Sequence, residues 1–176
     1  MNEIVWPTID SKHLIVDSKQ MSILEKEMFS DGMPQEALME KAGIQISRWL
    51  LKRKTLLKHG ITVLIGPGHN GGDGAVIARE LFLKGFFVQV WCPFQIKKTL
   101  TKNHLNYLTS IGVKKLLEPP DANGKELWID AVFGNNQTRK VDNKLIKLFN
   151  QKFLNKFGKV ISIDIPTGLC PDKGEP

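Results

Sequence analysis

Cysteine is scarce in this chain, with only Cys92 and Cys170 in 176 residues. Two thiols build no disulfide framework, and neither has the CxxC or Cys/His spacing of a zinc site, so a reducing, cytoplasmic setting is expected. No apolar run reaches transmembrane length. The first twenty residues are broken by acidic residues and Pro7, without the continuous apolar stretch of a signal peptide. Low-complexity tracts and internal repeats are also missing, which sets aside disordered and solenoid classes. So are the arginine and aromatic clusters that read bases. The net charge of +7 comes from lysines spread through 52–58, 97–102 and 140–159. Such spacing is that of solvated helix faces, so neither a nucleic-acid partner nor a membrane is expected. What remains is an ordinary globular composition, 41% hydrophobic and 24% charged. At this length one domain can bury about two-thirds of its unfolded surface.

Two helical segments come first. Ser22 and Glu25 have capping-box spacing, although the periodic pattern also allows a start after Asp17. The second opens at Pro34 and sets Leu38, Ala42, Ile46 and Trp49 along one apolar stripe that wants a partner surface. From Ile61 the pattern becomes βαβαβ: ITVLI, then GDGAVIARELFLKG, FFVQVW, a helix over 99–111, and VKKLL. Strand-like runs at 127–133 and 160–165 flank a helical candidate over 141–157. This alternation predicts a mostly parallel sheet with helices on both faces and right-handed crossovers, binding ligands beyond the carboxyl ends of its strands.

Three of those ends carry chemistry. The first is GPGHNGGDG, Gly66 to Gly74, between a strand and a helix. Its five glycines permit positive φ and close backbone approach to a ligand, and the helix N-terminus following them favours phosphate. Asn70 and Asp73 add oxygens suited to a cation or a sugar hydroxyl. The loop has neither GK[ST] nor the dinucleotide fingerprint, so it is not a P-loop. The second end, DAVFGNNQTRK from Asp130 to Lys140, offers Asp130 as a cation ligand or acid. It also offers a polar turn in which Arg139 could grip phosphate. The third, SIDIPTGLCPDKG, closes a strand with Asp164, and Pro166 and Gly168 stiffen the turn after it.

Together with LMEKAG at Leu38 to Gly43, these segments resemble the YjeF N-terminal domain family, the NAD(P)H-hydrate epimerases, from about Val16 to Gly174. The resemblance implies a Rossmann-like three-layer α/β/α fold preceded by two helices. It also implies interconversion of the R and S epimers of hydrated NADH and NADPH. The family's substrate-contacting loop falls on His69, Asn70, Gly71, Gly72 and Asp73, its second loop on Gly134, Asn135, Asn136, Gln137, Thr138, Arg139 and Lys140, and its substrate-contacting aspartate on Asp164. One potassium ion is implied, with ligands at Asn70, Asp130 and Thr167. The resemblance further implies a homodimer and a fused or partner dehydratase. It also implies that residues 1–176 form a single domain incomplete at its C-terminal end, because family members continue beyond the last motif.

The sequence departs from the family pattern at His69, usually Asn, and at Asn135 and Asn136, usually small. It departs again at Thr167, usually Ser, and at Cys170, where an aspartate is expected. Thr167 keeps the hydroxyl. In such a hydrate the hydroxyl-bearing carbon is bonded to the ring nitrogen, which can expel the hydroxyl and accept water on the other face. Asp164 is the expected acid/base. The rival reading is a non-catalytic nucleotide- or RNA-associated module of the same fold. Retention of Asn70, Asp73, Asp130 and Asp164 argues against it, because buried carboxylates are costly without a ligand.

Overall fold

The chain, described in a computed structural model over residues 16–135, 137 and 140–174, runs α1 (Ser18–Ser30), α2 (Gln35–Leu51), the single turn α3 (Lys54–Leu57), β1 (Ile61–Ile65), α4 (His69–Leu83), β2 (Val88–Trp91), α5 (Thr99–Ser110), β3 (Lys114–Leu116), β4 (Leu127–Ala131), α6 (Asn143–Leu154) and β5 (Lys159–Ser162). The strands form one sheet in the order β3-β2-β1-β4-β5, and every pairing is parallel. The expected α/β architecture is therefore present.

Sheet order decides where the helices lie. From β1 the chain steps outward to β2 and β3, and it then returns to β4 and steps the other way to β5. Right-handed crossovers taken in opposite directions put their helices on opposite faces. Accordingly Ile61, Val63 and Ile65 of β1 pack with α2, α4 and α5 residues such as Leu50, Ile77 and Leu105. Leu64 of β1 faces the other way, with Trp128, Leu145 and Phe149. Reversal of strand order between β1 and β4 opens a crevice at their carboxyl ends.

Local signals account for most boundaries. The capping box of α1 is the earlier of the two starts considered: Asp17 accepts from the Gln20 amide at 2.7 Å and the Gln20 side chain accepts from the Asp17 amide at 2.9 Å. On α2 the stripe turns by one residue. Met39, Gly43, Ser47 and Leu50 are buried, whereas Leu38, Ala42 and Ile46 are half-buried and Trp49 is 44% exposed. Gly43 explains the shift, because α4 approaches so closely that a side chain there would meet Val76. Arg79 of α4 bolts the pair by donating both terminal nitrogens to the Glu40 carboxylate of α2 at 2.6 Å each. The expectation that lysines only solvate helix faces fails at Lys152. This side chain is fully buried, donates to the Gly124 carbonyl at 2.8 Å and lies over the Trp128 ring. Among the described residues no helix is long and apolar enough to cross a membrane.

Candidate active site

The glycine-rich segment is mostly helix. Only Gly66 to Gly68 form a turn, since α4 begins at His69. None of its glycines has positive φ; they are small because backbones converge. A side chain on Gly66 would meet the Val132 carbonyl, one on Gly71 the Gly66 carbonyl, and one on Gly74 the Ala131 side chain. The helix is thereby drawn onto the ends of β1 and β4 with its amino end over the crevice. Gly71 and Gly72 are buried in that packing. Of the first motif, Pro67, Gly68, His69, Asn70 and Asp73 border the cleft, whose volume is about 620 Å³.

The second and third motifs meet the first there. Gly134, Asn135, Gln137 and Asp164 also line the cleft. Asp164 accepts from the Asn135 amide at 2.7 Å. Its Oδ2 lies so near Gly134 that a Cβ there would be 2.5 Å away, and the Asn70 side chain would also touch that Cβ. Gln137 accepts from the Gly168 amide at 3.1 Å, tying the two loops, and Lys140 is exposed. Asn136, Thr138 and Arg139 lie outside the described residues. Asp164 adopts φ 65°. That left-handed conformation costs a non-glycine residue on the order of 1–2 kcal/mol, and such strain gathers where geometry serves a function.

Asp130 is the penultimate residue of β4 and is 1% exposed. Its carboxylate accepts from the Thr167 hydroxyl at 2.7 Å, the Thr167 amide at 2.9 Å, the Ser162 hydroxyl at 3.0 Å and the Val132 amide at 3.2 Å. So satisfied, it anchors the turn after β5. Thr167 in turn accepts from the Phe133 amide at 3.2 Å, and Asn70 donates Nδ2 to the Phe133 carbonyl at 2.9 Å. Asn70 and Thr167 therefore hold the two backbone polar groups of one residue, Phe133. The Asn70 Oδ1 atom is buried without a hydrogen-bond partner, a state that native proteins rarely leave uncompensated. A buried lone-pair oxygen of this kind suits a hard monovalent cation. Among the described residues no group of three or more His, Cys, Asp or Glu is arranged for a metal, so the candidate donors are amide, hydroxyl and carboxylate oxygens.

Burial, and then the negative charges of Asp164 and Glu25, push the Asp73 carboxyl up to about 7. At the rim, Gln35 of α2 donates Nε2–H to His69 Nδ1 at 2.9 Å, which leaves the imidazole proton on Nε2. Burial and the Lys98 ammonium lower the His69 pKa, and a neutral ring results. Sequence motifs did not point to Gln35 or Lys98. Lys98 comes to the cleft because its backbone N–H, with that of Lys97, bonds the Pro67 carbonyl.

Comparison with known proteins agrees with this geometry. A family model described as YjeF-related protein N-terminus matches residues 35–176. The bifunctional NAD(P)H-hydrate repair enzyme Nnr of Synechocystis sp. is 41% identical over 163 residues, covering 92% of this chain and 31% of that protein. An NAD(P)H-hydrate epimerase of Oenococcus oeni is 30% identical over 146 residues, covering 81% of this chain and 69% of that protein. The crystal structure of yeast ynu0 matches with a TM-score of 0.78 at 26% identity, over 92% of this chain and 74% of that one. The chain spans only 31–32% of the length of the bifunctional relatives it matches at 35–41% identity.

Proposed function

This chain belongs to the family of YjeF-related protein N-termini, and on that premise we propose that it is an NAD(P)H-hydrate epimerase acting through the Asp73–Asp164 pair. The observation that carries the reading is a carboxyl poised at about 7 beside a second carboxyl at the mouth of one cleft. A carboxyl raised towards neutrality by burial holds a proton that it can give, which is what a general acid needs.

The steps follow from the substrate. Protonated Asp73 gives its proton to the hydroxyl on the carbon next to the ring nitrogen. That carbon–oxygen bond breaks, water leaves, and the nitrogen lone pair forms a carbon–nitrogen double bond. The cationic ring is stabilised by the carboxylates around it. Water then adds to the opposite face, the electron pair returns to nitrogen, and the released proton passes to a cleft carboxylate, Asp164 serving the second face. The proton transfer assigned to Asp164 from sequence is thus divided between two residues.

A potassium ion belongs to the same proposal and would be held by Asn70 Oδ1, Thr167 Oγ1 and the Asp130 carboxylate. It would supply fixed positive charge near the substrate phosphates. A thermal midpoint that rises in potassium chloride relative to choline chloride, and no longer does so in Asn70→Ala, is the expected outcome.

A cytoplasmic site of action accords with the two unpaired cysteines, and a dehydratase acting on one epimer would draw on the product. Proton NMR tests the activity: after one epimer is depleted, the purified chain should restore the equilibrium mixture faster than buffer alone. Tight binding without faster restoration would instead indicate a non-catalytic module.

A further inference from the structure

The cleft has a wall outside the three motifs. Met21, Glu25 and Phe29, all from α1, border it. They recur every four residues, so they form one stripe on one helix face. Yet α1 has no buried residue, and Met21, Ile23, Leu24 and Met28 are 37–47% exposed. The helix is therefore held against the cleft rather than by the core. One tie is a clasp from the far end of the chain, where Asp172 accepts from the Ser18 amide at 2.9 Å and from the Ser18 hydroxyl at 2.6 Å. Asp172 follows Asp164 and Thr167 on the third loop, so the clasp fixes α1 relative to the loop that carries the site. The matched family model begins only at Gln35, after α1.

We propose that α1 is the substrate-discriminating wall of the cleft, with Met21 and Phe29 packing on the reacting nicotinamide-derived ring and Glu25 accepting hydrogen bonds from its carboxamide. The inference rests on the epimerase reading and deepens it. Placement of the ring end follows from charge. Met21, Glu25 and Phe29 line the same cleft as Asp73 and Asp164, and the Glu25 charge reaches Asp73, so α1 borders the site of proton transfer. The chemistry also fits: the reduced and hydrated ring is not aromatic and is largely apolar on its faces, and its amide presents N–H donors that a carboxylate accepts well.

The test uses the full chain with Phe29→Ala, Glu25→Gln and the clasp variant Asp172→Ala. Because no α1 residue is fully buried, all three should fold, with only the half-buried Phe29 lowering the thermal midpoint on truncation. Phe29→Ala should raise KM for the hydrate about tenfold, equivalent to about 1.4 kcal/mol, with little change in kcat. Affinity for ADP-ribose, which lacks the ring, should be unaltered. Asp172→Ala should move KM the same way. Unchanged KM in all three variants, or an equal loss of ADP-ribose affinity, overturns the inference. A parent chain without epimerase activity would sink the functional reading instead. The wall is then read from NAD+ against ADP-ribose binding: Phe29→Ala abolishes the difference if the ring lies under α1 and leaves it intact if it does not.

Discussion

A carboxyl held at about 7 has opposite consequences for activity and stability. Asp73 must be protonated to release the hydroxyl, so kcat/KM for epimerisation is expected to fall as pH rises above about 7, with loss of one proton. Stability runs as follows. The folded pKa lies above the ordinary 3.8, so the native state holds the extra proton between those values. Its stability therefore declines as pH rises from about 4 to 7 and stays lowered above that. Asp73→Asn removes this penalty. The variant should be more stable than the parent at pH 8, on the order of 2–4 kcal/mol by denaturant unfolding, while losing roughly 10²–10⁴-fold in rate at pH 7. A residue whose removal stabilises the fold and stops the reaction is there for chemistry. At this scale the sequence was informative about which positions converge and silent about their state. Asp73 and Asp164 both stand in motifs, but the raised pKa of Asp73 depends on burial, on the charge of Asp164 and on that of Glu25, 48 positions earlier in the chain. His69 stood out as unusual, whereas its partner Gln35 lies in no motif.

Among the elements, α4 shows how glycine serves the site. In an exposed helix a Gly-to-Ala change stabilises by about 1 kcal/mol. Gly71 is different, because a Cβ there meets the Gly66 backbone carbonyl, which has no rotamer to adopt. Overpacking of that kind costs about 1–3 kcal/mol, so Gly71→Ala should destabilise the chain in urea titration and lower activity by lifting the amino end of α4. The segment was legible as the nucleus of the site, but positive φ was the wrong reason for its glycines. Spacing alone does not distinguish freedom of φ from close approach. Similarly, periodicity located α2 but turned its face by one residue, since Gly43 counts as neither apolar nor polar until α4 is seen against it.

For the whole molecule, alternation of strands and helices was enough to give the parallel sheet, and the sheet order then fixes the crevice between β1 and β4. Contacts between distant segments were not legible. The burial of Lys152 under the Gly124 carbonyl and the Ser18–Asp172 clasp across 154 positions leave no local pattern, because a lysine or a serine reads the same whether solvated or paired. The central claim is that two carboxyls in one cleft exchange the epimers of a hydrated nicotinamide cofactor. The most direct measurement is the rate at which a single purified epimer of NADPH hydrate returns to the equilibrium mixture, followed by proton NMR from pH 6 to 8 with the parent chain, Asp73→Asn and Asp164→Asn. The account predicts acceleration by the parent that fades above about pH 7 and its loss in both variants with hydrate binding retained. Parent-like rates in Asp73→Asn, or no acceleration by the parent at any pH, would contradict it.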